Sequence, residues 1–145
     1  MATNLAERIA NKEIPSPPIA QLIGFDITEL EHGRCLITFD AGPRHANPMG
    51  GLHGGVICDV TDAAMGLAYA STLDTAAGEY FTTVELKVNF LRPFRTGRLY
   101  AEGRVVNAGK TLGLVEAELK DESGRLIAKA SSTCMTLHAR IDGSA

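Results

Sequence analysis

The chain has 145 residues, a length that suits one domain with a buried hydrophobic core. Apolar residues make up 45% and charged residues 21%, an ordinary globular composition, and the net charge is −3. No run of lysine and arginine marks a basic face, so we expect no nucleic-acid partner. No stretch approaches membrane-spanning length and the first residues lack the apolar segment of a signal peptide, so we expect no membrane association.

The cysteine pattern indicates the compartment. Cys35, Cys58 and Cys134 lie far apart, without a Cys-x-x-Cys pair. An odd, dispersed set fits reduced thiols in a cytoplasmic protein better than a disulfide or zinc framework. We therefore expect a cytoplasmic location, three small buried thiols and no metal site.

The first third of the chain predicts short helices and then two strands. Residues 5–12 favour a helix that the following prolines interrupt, and residues 19–23 favour one further turn. Residues 25–30 and 34–39 are predicted as strands joined by a turn. Residues 41–52 contain two prolines and three glycines and predict a loop.

A single long helix is predicted after this loop, because small and apolar residues recur there at helical spacing. Its apolar stripe consists of Val56, Val60, Ala63, Ala64, Leu67, Ala68 and Ser71. A neighbouring stripe carries Gly55, Asp59, Asp62, Gly66 and Tyr69. Both carboxylates therefore share one face of the helix.

The remainder of the chain predicts four strands, at 84–90, 99–106, 112–120 and 126–137. In the first of them apolar and polar residues alternate, which predicts one buried face. The order of elements predicts an α+β fold with a six-stranded antiparallel sheet packed on one helix. We expect one domain over residues 1–145, with residues 1–20 as an N-terminal helical extension.

The turn before the long helix has the chemistry of a carbonyl-binding site. Gly54 and Gly55 lack side chains, so a ligand oxygen can come close to their backbone N–H groups. A helix that begins there adds the positive end of its dipole to these donors. Such a site can polarise a carbonyl or hold an oxyanion. Asp59 and Asp62 could supply a base or a nucleophile.

These residues resemble a known family. Asn47, Gly50 and the run from Leu52 to Gly55, with Asp62 on the helix, are similar to the hotdog-fold acyl-CoA thioesterases of the phenylacetate-pathway (PaaI-like) type. The resemblance continues through residues 83–93 and 109–111 and covers about residues 20–138. It implies a hotdog fold, in which the antiparallel six-stranded sheet wraps around one long central helix. It also implies hydrolysis of an acyl- or aroyl-CoA thioester without any cofactor, coenzyme A being part of the substrate.

The resemblance also assigns roles to particular residues. Asp62 matches the carboxylate that acts as nucleophile or general base, and the Gly54 N–H matches the group that polarises the thioester carbonyl. Asn47 matches the residue that helps to place the thioester or the attacking water, and Thr83 matches the hydroxyl residue that is the expected partner of the water. The family often has a serine at the position of Thr83, and Asp59 lies outside the shared pattern.

Other candidates have both a functional and a structural interpretation. His53 could contact the thioester or fix the turn through hydrogen bonds to the backbone. Gly66 could leave room for the acyl group or allow close helix–strand packing. Tyr69 could line the acyl pocket or belong to the core. Arg92, Arg95 and Lys110 could bind the phosphates of the nucleotide carrier, or be solvated surface charges.

Helix geometry predicts that the site requires two chains. Gly54 and Asp62 are eight positions apart, which is about 12 Å along a helix. A carbonyl about 3 Å from the Gly54 N–H is then out of reach of Asp62 in the same chain. We therefore predict an active site at a homodimer interface, and expect a dimer of dimers.

Two alternatives remain open from the sequence. A hotdog-fold enoyl-thioester hydratase or dehydratase would use a histidine and a carboxylate, such as His53 and Asp62, as an acid/base pair. A non-catalytic acyl-CoA-binding protein would bind the thioester without turnover.

Overall fold

The computed structural model describes residues 5–140, and all structural statements refer to that part of the chain. Three helices and six strands follow in the order α1 (Leu5–Ala10), α2 (Pro18–Ile23), β1 (Phe25–Glu31), β2 (Arg34–Ala41), α3 (Gly54–Ala70), β3 (Glu79–Phe90), β4 (Gly97–Ala108), β5 (Leu112–Asp121) and β6 (Leu126–His138). This confirms the predicted order of two strands, one long helix and four strands. The predicted first helix ends two residues early, where Lys12 turns the chain with a φ of +60°.

The six strands form one antiparallel sheet in the order β1-β2-β4-β5-β6-β3, so that β1 and β3 lie at its edges. Helix α3 packs across the sheet, mainly on β4 and β2. The core between them is made of small and aliphatic side chains, among them Cys35, Ile37, Val60, Ala64, Ala68, Leu99, Ala101 and Val115. The predicted α+β architecture is therefore confirmed. None of the helices described in residues 5–140 has the length and apolar character needed to cross a membrane.

The buried face of α3 differs in part from the predicted stripe. Val60, Ala64 and Ala68 are fully buried as predicted, whereas Val56, Ala63 and Leu67 are only partly buried. Ile57, Thr61, Met65 and Tyr69 take up much of the buried face instead. The buried face of α3 is thus rotated relative to the predicted stripe, because residues on the flank of that stripe also pack in the core.

Helix α3 approaches the sheet closely at Gly103 on β4. A Cβ atom at this position would collide with the carbonyl oxygen of Ala64 and lie 2.9 Å from the backbone nitrogen of Met65. Both are main-chain atoms, so relief would require movement of the helix itself. The absence of a side chain at Gly103 therefore sets the distance between α3 and the sheet.

We expect Gly103→Ala to lower the free energy of unfolding by about 2 kcal/mol or more, because the added methyl group forces α3 away from the sheet. Gly42→Ala is the matched control, since nothing lies within 4 Å of a Cβ built there and its φ of −141° suits any residue. The control is expected to change the free energy by less than about 0.5 kcal/mol. Urea denaturation of both variants measures the difference, and equal stabilities would contradict the packing argument.

The three cysteines are free thiols. Cys35 and Cys134 are fully buried as predicted, and burial raises the pKa of Cys35 to about 12. The prediction was wrong for Cys58, which is half-buried on α3. Burial and the nearby charge of Asp62 raise the pKa of Cys58, which favours the neutral thiol.

The prediction for β3 was wrong in two respects. The strand begins at Glu79, five residues before the predicted start, and its predicted buried face is largely open. Val84 is 52%, Leu86 38% and Phe90 56% exposed, whereas Val88 packs against the core. The reason is the position of β3 at the edge of the sheet, where it has a neighbouring strand on one side only.

Candidate active site

The loop before α3 is a small hairpin anchored by His45. The His45 side chain is buried, its Nδ1 accepts a hydrogen bond from the Gly42 N–H at 3.0 Å, and its Nε2 lies 2.7 Å from the Ile23 carbonyl oxygen. The neutral ring with its proton on Nε2 satisfies both contacts. The His45 carbonyl in turn accepts from the His53 N–H at 2.9 Å. The sequence pattern assigned no role to His45, yet this residue fixes the approach to α3.

Asn47 closes the tip of this hairpin. Its Oδ1 accepts from the N–H groups of Met49 and Gly51, at 2.9 and 3.1 Å. Its main-chain N–H donates to the Gly51 carbonyl at 2.7 Å, and Gly50 takes a φ of +83° that only glycine adopts readily. The side-chain oxygen of Asn47 is thus committed to the turn, which leaves its amide nitrogen as the group that could face a ligand.

His53 is the N-cap of α3. Its Nδ1 accepts a hydrogen bond from the Gly55 N–H at 2.8 Å, which caps one of the free donors at the start of the helix. Because Nδ1 accepts, the neutral ring carries its proton on Nε2. The structural interpretation of His53 accounts for this geometry. The Gly55 N–H is therefore occupied by a protein side chain.

The Gly54 N–H remains free. Gly54 is the first residue of α3, and its N–H finds no acceptor within residues 5–140. A Cβ on Gly54 would lie 3.2 Å from the ring of Phe90, so a ligand oxygen that reaches this N–H passes beside an exposed aromatic ring. Of the two predicted glycine donors, Gly54 alone is thus available to a carbonyl within the described turn.

Asp62 and Thr83 are in contact, which the sequence did not predict. The Thr83 Oγ1 donates to the Asp62 Oδ1 at 3.0 Å, and both residues are half-buried between α3 and β3. This hydrogen bond fixes the orientation of the carboxylate and leaves its other oxygen for a further partner. A carboxylate held in this way can take a proton from water or attack a carbonyl directly.

A β-bulge in β3 makes the contact between Thr83 and Asp62 possible. Thr83 and Phe90 are seven positions apart, so a regular strand would point them to opposite faces. Both nevertheless face α3, Thr83 towards Asp62 and Phe90 towards Gly54. The pairing of β3 with β6 skips Val84, and this one extra residue restores the common face.

Asp59 lies one helical turn before Asp62 on the same side of α3. Its Oδ2 is buried and has no hydrogen-bond partner in the described part of the chain. Desolvation raises the pKa of Asp59, and the charge of Asp62 raises it further. The charge of Asp62 therefore disfavours ionisation of Asp59.

We expect Asp59→Asn to raise the free energy of unfolding at pH 7. The pKa of Asp59 is higher in the folded chain than its ordinary value of 3.8, so the ionised carboxylate disfavours the fold. The stability supplied by the protonated form is fully present below pH 3.8 and is lost as the pH rises through the raised pKa. Urea denaturation should thus show a higher free energy of unfolding for the variant than for the wild-type protein at pH 7, but not below pH 3.8. A gain of the same size at both pH values would contradict this explanation.

Gly66 and Tyr69 receive structural explanations. A Cβ on Gly66 would lie 2.9 Å from the ring of Phe81 on β3, so the glycine allows close packing between helix and strand. Tyr69 is fully buried, and its hydroxyl lies 2.6 Å from the Thr136 Oγ1. The ring of Phe81 also meets Tyr69 edge-on, with centroids 6.0 Å apart. The sequence analysis did not single out Phe81, because the predicted strand begins after it.

The three predicted phosphate-binding cations do not form one cluster in a single chain. Arg92 and Arg95 are exposed near the start of α3, and the Arg95 guanidinium donates to the Gly50 carbonyl at 3.3 Å. Lys110 is exposed at the β4–β5 turn, beside a cavity that also contains Thr72 after the end of α3. The length of α3 separates the two groups.

Gly54 and Asp62 also remain apart within one chain. Helix α3 runs unbroken from Gly54 to Ala70, so the eight residues between them correspond to about 12 Å. The described chain thus supplies a carbonyl-binding donor at one point and an oriented carboxylate at another. One small carbonyl cannot contact both.

A six-stranded antiparallel sheet packed on one long helix defines a hotdog-fold protein. The chain belongs to the thioesterase superfamily, which it matches over residues 49–128. That segment contains the glycine turn, α3, β3 and β4.

Individual relatives agree with this assignment. A Saccharolobus solfataricus protein with a provisional esterase name is 35% identical over 123 residues, covering 85% of this chain and 86% of that protein. The medium/long-chain acyl-CoA thioesterase YigI of Salmonella typhimurium is 29% identical over 131 residues, covering 81% of this chain and 84% of that protein. The crystal structure of a phenylacetic acid degradation-related protein from Ralstonia eutropha superimposes with a TM-score of 0.82 at 29% identity, covering 91% and 99% of the two chains.

Proposed function

We propose that this protein hydrolyses an acyl- or aroyl-CoA thioester to the free acid and coenzyme A, at a site shared by two protomers. The Gly54 N–H of one protomer polarises the thioester carbonyl, and Asp62 of the other acts as general base or nucleophile. Relatives named for acyl-CoA thioesterase activity and phenylacetic acid degradation support this substrate class. The observation that carries the proposal is the Asp62–Thr83 hydrogen bond, which orients the Asp62 carboxylate. Within residues 5–140 this carboxylate forms no ion pair with a lysine, arginine or histidine side chain.

The general-base route needs only these groups. Asp62 takes a proton from water as the water oxygen bonds to the thioester carbon, and the Gly54 N–H stabilises the negative charge that develops on the carbonyl oxygen. The carbon–sulfur bond then breaks, and the departing thiolate of coenzyme A takes up a proton. A thiolate is a good leaving group, so the reaction does not require a serine–histidine pair or a metal. Asn47 and Thr83 are the residues that we expect to position the water or the thioester.

The edge of the sheet supports a homodimer. Strand β3 has neighbours on one side only, so its outer edge leaves main-chain donors and acceptors unpaired. Tyr80, Val84 and Phe90 on this strand are all more than half exposed. Pairing of two β3 strands would cover both the open edge and these apolar side chains. A second exposed apolar group, Leu112 and Leu114 on β5, is the surface that we assign to the contact between two dimers.

Complementation between two inactive variants tests the shared site. Asp62→Asn removes the base and Gly54→Pro removes the N–H, so each pure variant is expected to be inactive. In randomly mixed dimers half of the molecules are mixed and each regains one intact site, which gives about one quarter of wild-type activity. Release of thiol from acyl-CoA measures this recovery, and light scattering of the same samples measures the molecular mass. A mixture that stays as inactive as its components would contradict the shared site.

The hydrogen bond made by His53 argues against the alternative of a hydratase or dehydratase, which needs a histidine as acid or base. His53 Nδ1 accepts from the Gly55 N–H, so the neutral ring has no free acceptor nitrogen to serve as a base. An assay with an enoyl-CoA ester separates the two reactions, because hydration consumes the double bond without releasing thiol. A non-catalytic acyl-CoA-binding protein would bind the ester and release no thiol.

A further inference from the structure

A second feature of the fold lies beyond the Asp62–Thr83 pair. A cavity of about 230 Å³ opens between α1 and the flank formed by α3 and β3. Its walls are apolar: Ala6 and Ile9 come from α1, Leu67 and Ala70 from α3, and Tyr80 and Phe81 from β3. Glu79 lies at its edge, but its carboxylate accepts a hydrogen bond from the Asp74 N–H at 2.7 Å. The interior therefore favours an apolar ligand.

The cavity lies beyond the candidate active site along both elements. On α3, Leu67 and Ala70 follow Asp62 by five and eight positions, about 7 and 12 Å along the helix axis. On β3, Phe81 precedes Thr83 by two positions and so faces the same side. The ring of Phe81 rests on Gly66, one helical turn after Asp62. An acyl chain whose thioester is bound at Asp62 would therefore pass Phe81 before it reaches the cavity.

We propose that this cavity is the binding site for the tail of the acyl group, with α1 as its outer wall, and that the substrate is a thioester of a medium-length aliphatic acid. This inference rests on the function proposed above. At about 30 Å³ for each water-sized group, the cavity holds about seven or eight such groups, which corresponds to about seven or eight carbons of the tail. Each methylene group buried there improves binding about fourfold until the cavity is full.

The first test measures kcat/KM for thiol release from straight-chain acyl-CoA esters of two to twelve carbons, with benzoyl-CoA and phenylacetyl-CoA as aromatic substrates. Once the acyl chain passes Phe81, kcat/KM of the wild-type protein should rise about fourfold with each methylene, and it should reach its maximum above about eight carbons, because the carbons that pass Phe81 add to those in the cavity. A profile without dependence on chain length, or a preference for the aromatic esters, would overturn the proposal.

Two variants of the cavity make the test specific. Ala70→Phe fills the cavity and should abolish the higher kcat/KM for octanoyl-CoA relative to acetyl-CoA. The kcat/KM for acetyl-CoA should stay within about twofold of the wild-type value. Ile9→Ala enlarges the cavity and should move the optimum to longer chains. Ala76→Phe is the matched control, because it adds the same ring at an exposed position that does not line the cavity. An unchanged chain-length profile in both Ala70→Phe and Ile9→Ala would refute the assignment.

A binding experiment separates this inference from the proposed function. S-octyl-CoA and S-ethyl-CoA are thioethers without a carbonyl group, so their dissociation constants do not depend on catalysis. The octyl compound should bind at least tenfold more tightly to the wild-type protein, and Ala70→Phe should remove this preference. This result without thiol release from any ester would support the cavity and contradict the hydrolase. Equal affinities of the two thioethers for the wild-type protein would contradict the cavity whatever the activity.

Discussion

Asp62→Asn is expected to lower kcat for thioester hydrolysis by about 10²–10⁴-fold, the range typical for loss of a general base. Asparagine has the same size and its Oδ1 can still accept the hydrogen bond from Thr83, which is 3.0 Å long in the wild-type chain. The variant loses the negative charge and with it the ability to take a proton or attack a carbonyl. The measurement is thiol release at saturating substrate, with a thermal melt to show that the fold is retained.

Asp59→Asn is the matched control for this variant. Asp59 lies on the same helix one turn earlier and is half-buried like Asp62, but the hydrogen bond from Thr83 goes to Asp62. We expect its kcat to stay within about tenfold of wild type. If Asp62→Asn retained nearly full turnover, Asp62 would have no part in the chemistry. If both variants lost activity equally, the pair rather than Asp62 would be the functional unit.

Gly54→Pro is expected to lower kcat by about 10²–10³-fold, the usual cost of losing one oxyanion-binding donor. Proline removes the N–H and is well tolerated at the first position of a helix. The preceding residue, His53, already has an extended conformation with ψ of 131°, which proline requires of its neighbour. The helix should therefore form as before, without its free donor.

Gly54→Ala is the control that isolates the N–H. Both variants place a Cβ about 3.2 Å from the ring of Phe90, an exposed side chain that can move by the few tenths of an ångström needed. Alanine keeps the N–H, so we expect its kcat to stay within about tenfold of wild type. Equal losses in the two variants would show that crowding against Phe90 is responsible. Full activity of Gly54→Pro would exclude the Gly54 N–H from the mechanism.

Local signals in the sequence predict much of the fold and of the site. Helical spacing predicts the single long helix, and turn residues predict the order of the strands. The resemblance assigns roles to Asp62 and Thr83, but it does not predict the hydrogen bond between them, which depends on how β3 packs on α3. The glycine pair predicts a donor site, although only geometry reveals that His53 occupies the Gly55 N–H.

Long-range packing accounts for what the sequence does not predict. His45 looks like any histidine in a loop, and its anchoring role depends on the Ile23 carbonyl, which lies 22 positions earlier. Lys110 is grouped with Arg92 by charge, but the turns that carry them lie towards opposite ends of α3. The exposed apolar residues of β3 follow a pattern that normally indicates burial, and only the position of the strand at the sheet edge shows otherwise.

The unpaired residue Val84 has a consequence for the length of the chain. It acts as a one-residue spacer between the part of β3 that carries Thr83 and the part that carries Phe90. A chain lacking Val84 would retain every other side chain of the candidate site. Its two strand segments would nevertheless fall out of phase, so that either Thr83 would turn away from Asp62 or Phe90 would turn away from Gly54. At this position the number of residues matters as much as their identity.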